Sequence, residues 1–504
     1  MSFKGIIFKV IIILSNLFKE NFSELVIIPL ESSQKMNIGR TETAISFIDT
    51  ILNTVLSTHI KIGTPEVSLK SFITSFQCYF GIKPSNFINN STSEQKYNIN
   101  KSETFKNITK MNKTYIYNPD DILAQEKFYF QTFNYTLNKY NEVSLDKIYF
   151  VLGVGKEFNI SKIYSLYIGL KPDNPGDEIS TSLIHQIKKN KIIDNYYFSF
   201  LYYYSSEKKN LFNNSFLINT KCDLIIGELP HKFKPDSFYE NQLIKISTLK
   251  DDYEFYKTSW AIRFTKVFFY SKNNIDNNIT FITDIKAFLS FHEYVITGTD
   301  EYNQKIEKDF FDDYKNDCFT NYSGDYLIYY CEKSNNFTIE NLKSFPKLYF
   351  QHIELNYTFE LGYEDLFIEK NEKFWFLVVF DSYTQLDSWF FGNLFLQKYN
   401  FTFDIENKII GFYNPNLPKA NNEKKDDEKD EGSKNETIGV NDHGVSYFVV
   451  ICLIMVSGIV FIIVGIFIGK KILNKENKRK RANELDDNYD YNVSDDMNEP
   501  IINN

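Results

Sequence analysis

Near the C-terminal end of the chain, Phe401, Phe403 and Ile405 alternate with Thr402, Asp404 and Glu406, the period of a half-buried strand. Glu406-Asn407-Lys408 reads as a turn and Ile409-Ile410-Gly411-Phe412 as the return strand. Just upstream, Trp389 to Leu396 brings an apolar strand into Gly392 and then a short helical turn. Similar short patterns fill most of the chain. Val55 to Ile62 predicts a strand, Gly63-Thr64-Pro65 a turn, and Ser68 to Phe80 a second strand. Residues 85–112 are polar and read as a surface loop. Thr114 to Tyr117, Lys127 to Phe133 and Lys147 to Val154 predict further strands. Thr181 to Asn190 instead has a helical period, with Leu183, Ile184 and Ile187 on one face. Many short strands separated by Gly, Asn and Pro turns predict a mainly β body.

The two ends read differently. Val445 to Gly469 carries no charge and is long enough to span a bilayer as one helix. Lys470, Lys471, Lys475, Lys478, Arg479, Lys480 and Arg481 follow it, which predicts a cytoplasmic tail over residues 470–504. Residues 1–23 resemble a secretory signal, with Lys4 and Lys9 before the apolar run Val10 to Phe18; an uncleaved anchor is the alternative. Residues 417–444 are charged and nearly free of apolar side chains, so they predict a solvated stalk. The expectation is a single-pass type I membrane protein with a lumenal or extracellular body.

About fifteen N-x-S/T sequons precede the apolar run. Asn107, Asn134, Asn356 and Asn400 are taken as glycosylation candidates, and Asn278 and Asn321 belong to the same set. Cys318 and Cys331 lie close in sequence, a candidate disulfide in an oxidising compartment. Cys78 and Cys222 either pair across the body or stay as buried thiols. A net charge of −9 argues against nucleic-acid binding. The six His and five Cys show no metal-ligand spacing, and neither a G-x-S-x-G elbow nor a phosphate loop is present; no metal and no cofactor is implied.

Several of these stretches, in order, resemble the pepsin-like aspartic peptidases. Ser388 to Tyr413 is similar to that family's closing W-I-L-G-D-x-F-L-R-x-Y segment and the hairpin after it, with Asn393 where the family usually has Asp. Ile62-Gly63-Thr64-Pro65 matches its I-G-T-P turn. Ser165 to Lys171 resembles D-G-I-L-G-L-G, Phe198 to Leu201 resembles F-S-F-Y-L, and Phe345 to Phe350 resembles L-P-x-I-x-F. The resemblance covers about Val55 to Pro415. It implies a bilobal β fold, with a first lobe over residues 55–230, a second over 231–416, and a short N-terminal segment, 24–54, ahead of them.

The resemblance also implies a chemistry. Two aspartates in facing D-T-G turns share one proton and activate a water between them. The hydroxyl beside each aspartate holds the opposite loop, and a hairpin flap bearing a Tyr closes over the substrate. Here the first aspartate position, about nine residues after Pro65, is Thr74, and the glycine has become Phe76. A hydroxyl without a nearby base does not replace a carboxylate as water activator at neutral pH. The second position is assigned to Asp284, in Thr283-Asp284-Ile285-Lys286, and the flap Tyr to Tyr117. The expected function is a catalytically impaired homologue whose inter-lobe cleft binds a peptide or protein. The alternatives are a working aspartic endopeptidase of the secretory pathway or cell surface, and a glycosylated coat protein.

Overall fold

The computed structural model describes residues 24–34, 51–52, 54–75, 80–82, 97–108, 122–135, 137–153, 166–171, 181–203, 221–249, 259–271, 274–282, 284–323, 325–381, 388–414 and 416–417. The expected signal, flap Tyr117, Cys78, stalk, membrane span and tail lie outside them. Among the described residues no helix is long and apolar enough to cross a membrane.

The body is mainly β. Its first half holds β1 (Glu24–Gln34), β2 (Thr54–Ile62), β3 (Val67–Thr74), β4 (Phe80–Ile82), β5 (Lys106–Asn107), β6 (Ile122–Asn134), β7 (Lys139–Leu152), β8 (Leu166–Gly169), β9 (Tyr197–Tyr203) and β10 (Lys221–Ile226). The second half holds β11 (Leu243–Ser247), β12 (Ala261–Phe264), β13 (Lys266–Ser271), β14 (Asn274–Ile282), β15 (Ile285–Leu289), β16 (Ile296–Gly298), β17 (Cys318–Ser323), β18 (Tyr326–Glu332) and β19 (Leu348–His352). It continues with β20 (Tyr357–Leu361), β21 (Phe367–Lys370), β22 (Lys373–Phe376), β23 (Val378–Asp381), β24 (Ser388–Phe391), β25 (Phe401–Asp404) and β26 (Ile409–Tyr413). The helix expected near Thr181 is α1 (Leu183–Lys189). Two others are α2 (Asp300–Asp309), capped by Thr299, and α3 (Asn393–Tyr399), which ends in a left-handed Asn400.

The strand order contains an internal repeat. In the first half the path β2-β3-β8-β4-β7-β6 runs with β3–β8 and β4–β7 parallel and the other pairs antiparallel. In the second half β12-β15-β24-β16-β23-β18 has the same sequence of signs, with β15–β24 and β16–β23 parallel. Two lobes of one design are therefore present. β4, β8 and β16 have no exposed residue and are buried on both faces. Burial on both faces removes from these stretches the alternation of a half-exposed strand.

The two lobes share a core. β9 pairs β25, and β11 pairs β26, so the closing hairpin of the second half extends the first half's sheet. Phe198 stacks on Phe403 at 4.6 Å between ring centroids, and Trp260 meets the same ring at 5.0 Å. The Trp260 indole N–H donates to Leu170 O at 2.6 Å, satisfying the polar end of a fully buried ring.

β1 lies outside the 55–230 span expected for the first lobe, yet it pairs with β10, β2 and β6 in that lobe's sheet. The expected strands at Lys127 and Lys147 form one long hairpin, β6–β7, reaching back to Ile122 and Lys139. The Gly63-Thr64-Pro65 turn is clamped from outside. Glu103 N–H donates to Thr64 O (2.8 Å) and Gly63 N–H to Lys127 O (2.9 Å). Beneath it the buried Glu126 carboxylate accepts from the hydroxyls of Tyr97, Ser102 (2.7 Å) and Thr104 and from Lys127 N–H (2.8 Å). Four donors offset the cost of burying that charge.

Candidate functional site

β3 runs straight into Thr74 and Ser75, which are 5% and 2% exposed. Thr74 is the residue of β3 opposite Gly169 in the parallel pair with β8, and its carbonyl accepts from Leu170 N–H at 2.9 Å. The repeat identifies the counterpart. β15 pairs in parallel with β24 up to Leu289 opposite Phe391, so the next position sets Ser290 beside Gly392. Gly169 and Gly392 are the two glycines of the matched segments. By this correspondence Ser290, rather than Asp284, stands where the resemblance sets the second aspartate.

The contact between the loops agrees. Phe291 N–H donates to Ser75 Oγ at 3.4 Å, 216 residues away in sequence. Ser75 is the hydroxyl next to Thr74, and this bond links it to the opposite loop. The two sites thus carry Thr74-Ser75 and Ser290-Phe291-His292. Neither has an aspartate.

Asp284 sits at the start of β15, not at its end. It takes a left-handed φ of 70°, which Asp tolerates better than most residues, and its N–H donates to Thr265 O at 3.3 Å. Both its oxygens accept from the Arg263 guanidinium, from Nε and Nη2, at the exposed surface. The hydrogen bonds from Arg263 hold its carboxyl below the usual carboxylate range. That is an acid kept ionised in water, the reverse of a shared-proton dyad member.

The second loop is filled rather than open. Phe291 is fully buried and packs on Phe200 (5.0 Å), Phe403 (5.1 Å) and Phe198 (5.8 Å). Asn393 holds the loop in place. Its side-chain amide donates to Phe291 O (3.1 Å) and Glu293 O (2.9 Å), and its oxygen accepts from Tyr202 O–H (3.0 Å). A carboxylate there would offer no donor to those two carbonyls. Gly392 is needed for close approach: a Cβ would stand 2.2 Å from Val295 O.

Ser290 Oγ lies 3.2 Å from His292 Nδ1, and His292 Nε2 lies 3.8 Å from Glu293 Oε1. This hydroxyl–imidazole–carboxylate series lies in one short turn. Ser290 is 0% exposed, so its oxygen cannot reach a substrate carbonyl; the contacts brace the loop.

No family model matches the sequence, and no curated protein matches it. Solved structures do match in three dimensions. Conglutin gamma, a basic 7S globulin from lupine seeds, aligns with a TM-score of 0.51 at 11% identity, over 77% of this chain and 94% of that one. Basic 7S globulin from soybean aligns with a TM-score of 0.50 at 11% identity, over 78% of this chain and 96% of that one. The fold is pepsin-like. At this identity the likeness carries the mainly β bilobal architecture and no activity.

Within this pepsin-like body Cys318 and Cys331 are bonded, directly opposite one another in the β17–β18 pair. Cys222 is a free thiol whose pKa burial raises well above the ordinary value. Asn107 and Asn356 are exposed and Asn400 is half-buried. Asn134 is 3% exposed and its oxygen accepts from Leu137 N–H at 2.9 Å. A cavity of about 500 Å³ lies elsewhere, between β1, β2 and β6, lined by Pro29, Thr58, His59, Lys61 and Tyr129; neither loop contributes to it. Among the described residues no group of three or more His, Cys, Asp or Glu is placed to hold a metal ion.

Proposed function

We propose that this chain is a catalytically impaired pepsin-like protein, membrane-anchored, whose inter-lobe cleft binds a peptide or protein without cutting it. The observation that carries the reading is the pair of hydroxyls, Thr74 and Ser290, at the two positions where the resemblance requires carboxylates. Neither can take a proton from water at neutral or acid pH. The retained link from Phe291 to Ser75 keeps the two loops in register, so the cleft is maintained after the chemistry is lost. The uncharged stretch 445–469 and the basic residues after it support the anchored topology.

The test is proteolysis by the purified full-length chain in detergent, on a mixed peptide library between acid and neutral pH. No cleavage is expected, with or without a statine-type inhibitor. Cleavage that the inhibitor blocks and Ser290→Ala abolishes would overturn the reading. Cleavage lost in Asp284→Ala would restore that carboxylate to the dyad. In the absence of cleavage, a retained library peptide that slows amide exchange in residues 71–75 and 285–293 supports a binding cleft.

A further inference from the structure

We propose that Asn321 is an N-glycosylation site whose first sugar lies against the exposed ring of Phe319. Among the described residues β17 pairs only with β18 and forms an outer edge, and Asn321-Tyr322-Ser323 is a sequon on it. Phe319 and Asn321 are two residues apart on one strand, so they stand on the same face. Phe319 is 38% exposed, one of the few large apolar side chains so open among the described residues. Its other side is supported: Phe319 meets Tyr330 at 5.7 Å, Tyr330 meets Trp375 at 4.8 Å, and Lys373 Nζ stands 4.1 Å from the Tyr330 ring centre. The result is a fixed aromatic row that ends in water beside the sequon.

The amide of Asn321 is available. Its oxygen accepts from Tyr322 N–H at 2.8 Å, and its nitrogen makes no hydrogen bond among the described residues. In the modification the Asn321 Nδ2 bonds to C1 of the sugar at the reducing end of a lipid-pyrophosphate-linked oligosaccharide. The C1–O bond to phosphate breaks, the lipid pyrophosphate leaves with the bonding electrons, and Nδ2 loses one proton. Held two residues from Phe319, the first pyranose lays its axial C–H bonds on the electron-rich ring face and removes apolar surface from water. Asn107 offers an internal control. It also has an aromatic two residues before it, Phe105, but that ring packs inward against Tyr97 and Phe150.

The inference rests on the export of this body into a glycosylating compartment. The experiment expresses the full chain in cells with an N-glycosylating secretory pathway, maps each sequon by glycopeptide mass spectrometry, and measures the thermal midpoint before and after an amidase removes the glycans. Asn321 is expected to be modified. Removing its glycan is expected to lower the midpoint by about 1–3 °C, with no such loss in Phe319→Ala or for a glycan at Asn107. A bare Asn321 beside other modified sequons overturns the proposal and leaves export standing. An equal loss in Phe319→Ala overturns the ring contact. A chain with no modified sequon overturns both the export and the site.

Discussion

The two lobes share a strand order and differ in how each closes its loop. In the first, Thr74 O accepts from the main chain of Leu170, and Ser75 Oγ accepts from Phe291 N–H of the other lobe. The second is large and packed: Phe291 enters the aromatic core, and the Asn393 amide ties down the carbonyls on either side of His292. At the position of Asn393 the first lobe has Leu170, an apolar residue whose carbonyl is capped by Trp260. One half therefore meets the other lobe through a hydroxyl, while the other packs its loop into the core. The frame of parallel and antiparallel pairs is indifferent to that conversion, because main-chain ladders hold it.

The comparison breaks first at Phe291. Phe291→Ala should cost about 3–5 kcal/mol by denaturant unfolding, as for other large core truncations. A loss under a third of that would show that the second loop is not part of the core. Next comes Asn393→Asp. At pH 7 it sets an acceptor-only carboxylate against the Phe291 and Glu293 carbonyls, and about 2–4 kcal/mol should be lost. That site favours the protonated acid, so the folded-state pKa lies above the unfolded one. The penalty is therefore absent below the unfolded pKa and grows as pH rises through the folded one. Stability curves of wild type and variant should converge toward about pH 4 and diverge toward neutrality.

Ser75→Ala sharpens the contrast from the other side. It leaves Phe291 N–H without its partner, and about 1 kcal/mol should be lost, read as a shift of the unfolding midpoint. The smallest effect belongs to Asp284→Ala. Its ion pair with Arg263 is exposed on both sides, and the thermal midpoint at pH 7 should stay within scatter. A large drop there would mean that β15 depends on its opening turn more than on its parallel partner.

Much of the frame was legible in the pattern of residues. The Phe401 to Phe412 hairpin, α1 and the Ile62-Gly63-Thr64-Pro65 turn all signal themselves locally, and Thr74, at the turn's offset, lies opposite Gly169 at the end of β3. The second loop was not legible by the same route. Asp284 is the one aspartate in residues 279–295, whereas Ser290 is identified only by its neighbour across a parallel pair 102 residues away. The limits of β1 were obscured because Leu25 to Ile28 is a short apolar run without alternation, ambiguous between strand and helix. Asn393 could be seen to depart from the usual aspartate, but the two carbonyls that make an amide the better residue are visible only in three dimensions.

The pairing of β9 with β25 has a bearing on synthesis. Tyr197–Tyr203 leaves the ribosome some 200 residues before Phe401–Asp404, its partner on one side. Through that interval, tens of seconds at ordinary elongation rates, the first lobe carries an open apolar edge. A nascent chain of this design calls for a chaperone to shield the edge until the final hairpin emerges, and truncation just before Phe401 should yield aggregates rather than a separate folded lobe.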